Sequence, residues 1–274
     1  MTQAIQKKLN DSAFARWTAL ILVALTMFFG YMFVDVLSPL QNMLESTRGW
    51  SPTIFGLYGG SEFILNVCGF LLVAGIILDK MGVRFTGILS ASLMVLGAGI
   101  KFYGLSNYFY EGGFGYEFLS SFLTDIPASA KLACLGFMVF GCGTEMAGVT
   151  VSRAIVKWFT GKELALAMGL EMAIARLGVF AVFSLSPWVA NWGGDPSVAR
   201  PVAVVGLLLC IGLLTYIAFS VMDFKLDRQT EADTPIGETE EPFKVADLKN
   251  LFSSKTFLIV SALCVLYYLS LIHI

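Results

Sequence analysis

Long apolar runs separated by short charged segments set the pattern of this chain. Runs at 17–40, 55–78, 132–156, 164–190 and 201–222 approach or exceed the ~20 residues that carry a helix across a bilayer. A shorter run at 85–100 extends through Phe102 and Tyr103. A seventh begins near Phe257. No water is present in lipid to satisfy backbone N–H and C=O groups, so each run predicts a helix rather than a strand. The expected fold is an all-α integral membrane protein. Residues 1–222 form a six-helix bundle, 223–256 a polar linker, and 257–268 the start of a seventh helix. The first run is too long for the apolar core of a cleaved leader, and no small-residue cleavage site follows it, so it reads as a retained span.

Composition sharpens this picture. The 274 residues are 57% hydrophobic and 14% charged, with a mean hydropathy of +0.76. Soluble domains carry roughly 25% charged residues. The linker stretch DRQTEADTPIGETEEP is too polar to bury a core. Behind it, KVADLKNLF (244–252) has helical spacing that suits a membrane surface or a solvated helix equally. Arg48, Lys101, Lys131 and Arg200 fall in the segments opposite the N-terminus, Arg176 falls within a span, and every other Lys and Arg lies on the N-terminal side. The positive-inside rule therefore predicts a cytoplasmic N-terminus, and the expected host is a bacterial inner membrane. No basic surface suits nucleic acid, and no glycine-rich phosphate loop or nucleophile–base pair suggests an enzyme. All five cysteines lie in apolar runs without a CxxC pair, so neither metal nor cofactor is expected. Residues 269–274, LSLIHI, match the in-frame translation of a common transposase adapter and are expected to be foreign to the protein. They include His273, the single histidine.

Two ionisable residues stand out near the middle of successive spans. Glu145 follows FGCGT, and Arg176 lies within LEMAIARLG. Each is roughly 18–20 Å into its helix at the α-helical rise. Charges at that depth normally face a bundle interior or a polar cavity. An arginine grips a carboxylate with two parallel bonds, and a carboxylate accepts from an ammonium. The pair either holds a zwitterionic solute or joins spans four and five to each other. Asp35 reads as an entrance residue or a solvated helix end, and Glu62, two turns into span two, as an outer gate residue. Asn66 is a pocket amide or an interhelical tie. Glu171 points some 140° away from Arg176 on the helix wheel, toward another helix or the basic edge.

The turn between spans two and three reads GIILDKMGVRFTG, from Gly75 to Gly87. Gly75 suits close helix approach, Asp79 and Gly82 suit a tight turn, and Lys80 and Arg84 place it on the inner side. The segment resembles the signature of the major facilitator superfamily, although Val83 stands where a basic residue is usual. FGCGTE (140–145) and WFTGKELALAMGLEMAIARLG (158–178) resemble the branch containing the lysosomal dipeptide uniporter of animals. YMFVDVLSPLQ (31–41) adds a weaker match. The resemblance implies the N-terminal half of a two-bundle transporter, with the C-terminal bundle absent. It implies a small-molecule substrate, a dipeptide or another zwitterion, held by Glu145 and Arg176. It also implies that Asp79 takes part in gating against the other half. Proton-coupled exporters of that superfamily carry an arginine early in span four, where Phe137 stands here. Export of drug-like compounds and a non-transporting receptor or scaffold are the alternatives.

Overall fold

The computed structural model describes residues 8–231 and 253–273, with side chains at 8–230 and 253–266. The expected surface segment 244–252 lies outside the described residues. The chain divides into two units, 1–234 and 235–274. In the second unit, helix α10 (Lys255–His273) carries the seventh apolar run and includes most of the segment expected to be foreign.

The first unit is helical. After the N-cap Ser12 come α1 (Ala13–Val34), a tight turn at Ser38–Leu40, and α2 (Gln41–Arg48), which ends at Gly49 with φ 70°. The next helices are α3 (Pro52–Ser61), α4 (Leu71–Leu105), α5 (Asn107–Tyr110), α6 (Tyr116–Ser120), α7 (Ala128–Phe159), α8 (Leu164–Ala190) and α9 (Ala199–Glu231). The apolar stretch Pro52–Leu105 is 54 residues long, about 80 Å as a straight helix against a ~30 Å hydrocarbon core. Gly82, at φ 74° and ψ 174°, breaks it into spans two and three. Split there, the five long apolar helices of the described residues supply six candidate spans: α1, α3 with the first part of α4, the rest of α4, α7, α8 and α9. The last continues past the expected bundle boundary at 222.

Span two is itself discontinuous. Helix α3 ends at Ser61 with Glu62 as its C-cap, and Asn66–Phe70 forms a wide π-type turn in which Gly69 has φ 104°. Such turns commonly mark functional positions in helices.

Lipid tails are as apolar as leucine, so helices in a bilayer associate through close packing of small residues and through polar ties. Span four shows this most clearly. A Cβ at Gly136 would lie 2.6 Å from Lys101 N, one at Gly143 2.6 Å from Ser90 O, and one at Gly141 would overlap the Glu62 backbone. Spans two and three therefore press directly on span four. Span one packs against spans five and six. Gly178 of span five meets the Phe28 carbonyl, and Thr26 Oγ1 donates to Gly212 O at 2.9 Å. Span three meets span six where the Tyr216 ring covers Gly87 and donates to Val83 O at 3.0 Å.

One end of the bundle is tied by ion pairs. Asp223, 1% exposed, accepts from Lys157 Nζ at 2.8 Å and Trp158 Nε1 at 3.0 Å, with Arg84 Nε at 4.0 Å. Asp227 pairs with Arg84 at 3.3 Å and Lys157 at 2.6 Å. Arg16 reaches Glu163 at 3.1 Å and caps the carbonyls of Asn10 and Asp11. Lys162 donates to Asp11 at 2.7 Å, and this bond holds the Asp11 carboxyl below its ordinary value. At the opposite end, Arg48, Lys131 and Arg200 donate to the carbonyls of Leu105, Leu119 and Ala190 at helix C-termini.

Two expectations follow for unfolding midpoints in detergent. Gly136→Ala forces backbone apart and costs roughly 1–3 kcal/mol, whereas Gly99→Ala, which meets open space, is neutral or slightly stabilising. Asp223→Ala removes a buried acceptor shared by Trp158 and the partly exposed Lys157 and Arg84, which keep Asp227, and costs roughly 1–3 kcal/mol. Asp227→Ala, whose side chain is 28% exposed, costs clearly less.

Candidate functional site

The packing that builds span four also positions Glu145. Gly141, Gly143, Met146 and Ala147 turn into the bundle, and Glu145 falls off that face, half-buried. No hydrogen bond or ion pair holds its carboxylate among the described residues. On span five, Ala167, Glu171, Ala175, Gly178 and Val182 form the buried stripe. Arg176 lies off the stripe and is exposed. Its guanidinium sits 5.2 Å from the centroid of the Tyr31 ring on α1, a contact that suits a planar cation. Glu145 and Arg176 form no ion pair with each other. Glu171 is buried at 7% exposure, on the face opposite to Arg176.

Asn66 ties span two to span four. Its amide donates to Glu62 O at 3.4 Å and Gly141 O at 3.3 Å. Its Oδ1 is buried without a partner. Since Gly141 is one helical turn from Glu145, the break in span two lies beside the candidate acid. Glu62 is 5% exposed, and no hydrogen bond to its carboxylate appears among the described residues. Asp35 caps α1 and accepts from Ser38 Oγ at 2.9 Å.

Lys101 corrects the sequence reading, which placed it at the outer boundary. It is fully buried. Its Nζ stands 4.3, 4.4 and 5.0 Å from the ring centroids of Phe33, Phe137 and Tyr58 and donates to Phe33 O at 3.5 Å. The cause is helical register. Gly97, Lys101 and Gly104 share the face pressed on span four, so the side chain has only the interior to enter. That spacing was the available signal, and a boundary assignment based on hydropathy alone overlooks it.

The turn motif is distributed differently from its expected roles. A Cβ at Gly75 would meet nothing, because this residue faces away from the bundle; the close helix approach expected there is not made within the unit. Asp79 pairs with Arg153 of span four. Lys80 is exposed, Gly82 supplies the reversal, and Arg84 joins the Asp223–Asp227 cluster.

Two apolar clefts lie elsewhere. One of about 280 Å³ runs between Ala98, Phe102, Val202 and Leu207. The other, about 710 Å³, lies under Phe114 and Phe118 beside Leu96 and Leu135. Neither reaches Glu145 or Arg176. The cysteines Cys68, Cys134, Cys142, Cys210 and Cys264 are free.

Comparison with known proteins follows the same lines. The family model of the Major Facilitator Superfamily matches residues 20–274. The lysosomal dipeptide transporter MFSD1 of Bos taurus is 31% identical over 144 residues, covering 50% of this chain and 30% of that protein. The Gallus gallus protein of the same name is 34% identical over 139 residues, covering 49% and 31%. The Pongo abelii protein is 26% identical over 267 residues, covering 93% and 51%. The chain thus spans about half the length of the curated relatives it matches. These relatives are animal proteins described as lysosomal, which lends nothing to the bacterial inner membrane expected from the sequence. With five long apolar helices among the described residues, one of them broken at Gly82, and a family match from residue 20 onward, the chain belongs to the Major Facilitator Superfamily.

Proposed function

We propose that this chain forms one wall of a carrier for a small zwitterion, a dipeptide by preference, and that Glu145 and Arg176 take its two charged ends. The observation that carries the reading is that two opposite charges, each mid-helix, are left without each other. Desolvating such groups is expensive, and a permanent ion pair would be the cheaper arrangement. Keeping them apart leaves each able to bind a solute. Arg176, flat on Tyr31, presents its fork to a carboxylate. Glu145, with no donor of its own, accepts from an ammonium. The name of the relatives, dipeptide transporter, supports the same substrate class. Binding and release of this kind need no covalent chemistry, so the role is that of a carrier rather than a catalyst.

In this reading a second bundle closes the other wall, and the site opens alternately to the two sides of the membrane. The discontinuous span two, with Glu62, Asn66 and Gly69, supplies the moving element beside the site. Asp35 lines the approach. Asp79 and Arg84 hold the turn at the gate. The end that gathers Arg16, Lys80, Arg84, Arg153, Lys157 and Lys162 faces the cytoplasm, and with Lys101 withdrawn from the opposite end the charge asymmetry increases.

The test uses the full-length transporter in proteoliposomes. Arg176→Ala and Glu145→Gln each weaken dipeptide binding and uptake roughly ten- to hundredfold, as expected from loss of one charged hydrogen bond, with membrane abundance unchanged. An N-acetylated dipeptide discriminates further: it is a poor ligand for the parent, and Glu145→Gln removes most of the difference between blocked and free amino termini. Unchanged uptake in both variants overturns the reading.

A further inference from the structure

We propose that α3 is a hinged arm of span two, closed onto spans one, three and four by an aromatic latch around Lys101, and that it opens about the break between Glu62 and Gly69 while the rest of the span stays in place. Hinge and latch are read from backbone and ring contacts. Only what the arm covers, the neighbourhood of Glu145, rests on the carrier reading above.

The hinge begins where helical continuity is lost. Helix α3 ends at Ser61, and Phe63 N bonds back only three residues, to Gly60 O at 3.2 Å. The wide turn at Asn66–Phe70 follows, with Gly69 at φ 104°. A Cβ on Gly69 would meet nothing within 4 Å. Packing therefore does not demand glycine there; the left-handed backbone does. Between the two breaks, span two is pinned to span four: Gly141 bears on the Glu62 backbone, and the Asn66 amide donates to the Glu62 and Gly141 carbonyls. This contact is the fulcrum.

Beyond the fulcrum the packing changes kind. A Cβ at Gly56, Gly59 or Gly60 would meet nothing, so α3 makes none of the glycine-to-backbone contacts that fix spans three and four. Rings hold it instead. Tyr58 stacks on Phe137 of span four at 4.6 Å and 12°. The Lys101 ammonium of span three lies 5.0 Å from the Tyr58 ring, 4.4 Å from Phe137 and 4.3 Å from Phe33 of span one. At the tip, Trp50 packs on Tyr58 at 5.5 Å and donates to Ser129 Oγ at 3.0 Å. One cation thus gathers rings from the arm and from two of its neighbours. On the other side, Leu57, Phe63 and Ile64 are exposed, so the arm is gripped from one face.

Closure also carries a cost that opening relieves. The Tyr58 hydroxyl is buried without a partner, and the hydrogen bond from Lys101 to Phe33 O is long at 3.5 Å. Buried donors left short of acceptors oppose the state that buries them. Moving the arm away admits water to both groups and breaks no backbone ladder. Such a segment opens locally at lower free energy than the bundle around it.

Hydrogen exchange on the full-length transporter in nanodiscs, without solute, tests the device. In the parent, the amides of 55–61 exchange together and faster than those of 71–80 in the same span. Lys101→Met, Tyr58→Leu and Trp50→Phe each speed exchange at 55–61 by roughly tenfold or more, on the scale of one desolvated ring contact, and leave 71–80 unchanged. Gly69→Ala, outside the latch, does the same by forcing the turn toward a regular helix. Gly75→Ala, in open space on the same span, matches the parent. Exchange of 55–61 in step with 71–80 in the parent, or latch variants that leave 55–61 unchanged or speed every span alike, overturns the proposal. If Lys101→Met does not fold, Tyr58→Leu and Trp50→Phe decide. No solute enters the readout, so failure of the carrier reading leaves this result interpretable.

Discussion

Close contact between span four and its neighbours is the constraint from which the rest of this bundle follows. Helices in lipid gain little from burying apolar surface against one another, so they must touch over long distances to hold together. Gly136, Gly141 and Gly143 permit that contact by leaving no side chain between span four and spans two and three. Three consequences are fixed together. Lys101 is forced inward. Asn66 comes within reach of the Gly141 carbonyl. Glu145, just beyond the glycine face, is left at its edge rather than inside it. The same residues that stabilise the fold thus decide which polar groups are sealed and which remain available.

Much of this was legible in the sequence, for identifiable reasons. Apolar runs of the right length place the helices, because lipid admits no other spanning backbone. Gly82 and Asp79 mark the reversal after span two. Glu145 and Arg176 are conspicuous because their surroundings are uniformly apolar. The break at Glu62–Gly69 was not legible. Hydropathy continues smoothly through FILNVCGF, and the change is one of backbone geometry at Gly69. Lys101 was misplaced because a lysine near the end of a run is normally a boundary residue whose long stem reaches water. Its four-residue offset from Gly97 outweighed that tendency, and only knowledge of which face is packed reveals it.

The basic end illustrates a different division of labour. Asp223 and Asp227 of span six collect Arg84 from the turn after span two and Lys157 from the end of span four. Asp79 adds Arg153. The turn motif is therefore bound into its own bundle from two sides. Any rigid-body motion of this bundle would carry the turn with spans four and six, to which these pairs tie it. The discontinuity in span two lies farther along the same span, near mid-depth, where local movement beside Glu145 does not require breaking these pairs.

Two cations within the apolar spans show how burial separates groups of like charge. Lys101 and Arg176 both stand over aromatic rings within apolar spans. Lys101 is closed off on every side, has one weak acceptor and meets three rings. Arg176 meets one ring and leaves its donors open. A charge kept for structure gains from enclosure, because enclosure prevents exchange with water or solute. A charge that binds a solute, the role proposed for Arg176, must forgo that enclosure and tolerate the cost of an unpaired fork. The same contrast divides the acids: Glu171 is buried on the helix-packing stripe, whereas Glu145 sits one step off it. Packing registers of four residues, set by glycine and alanine, are enough to sort four ionisable groups into these two classes.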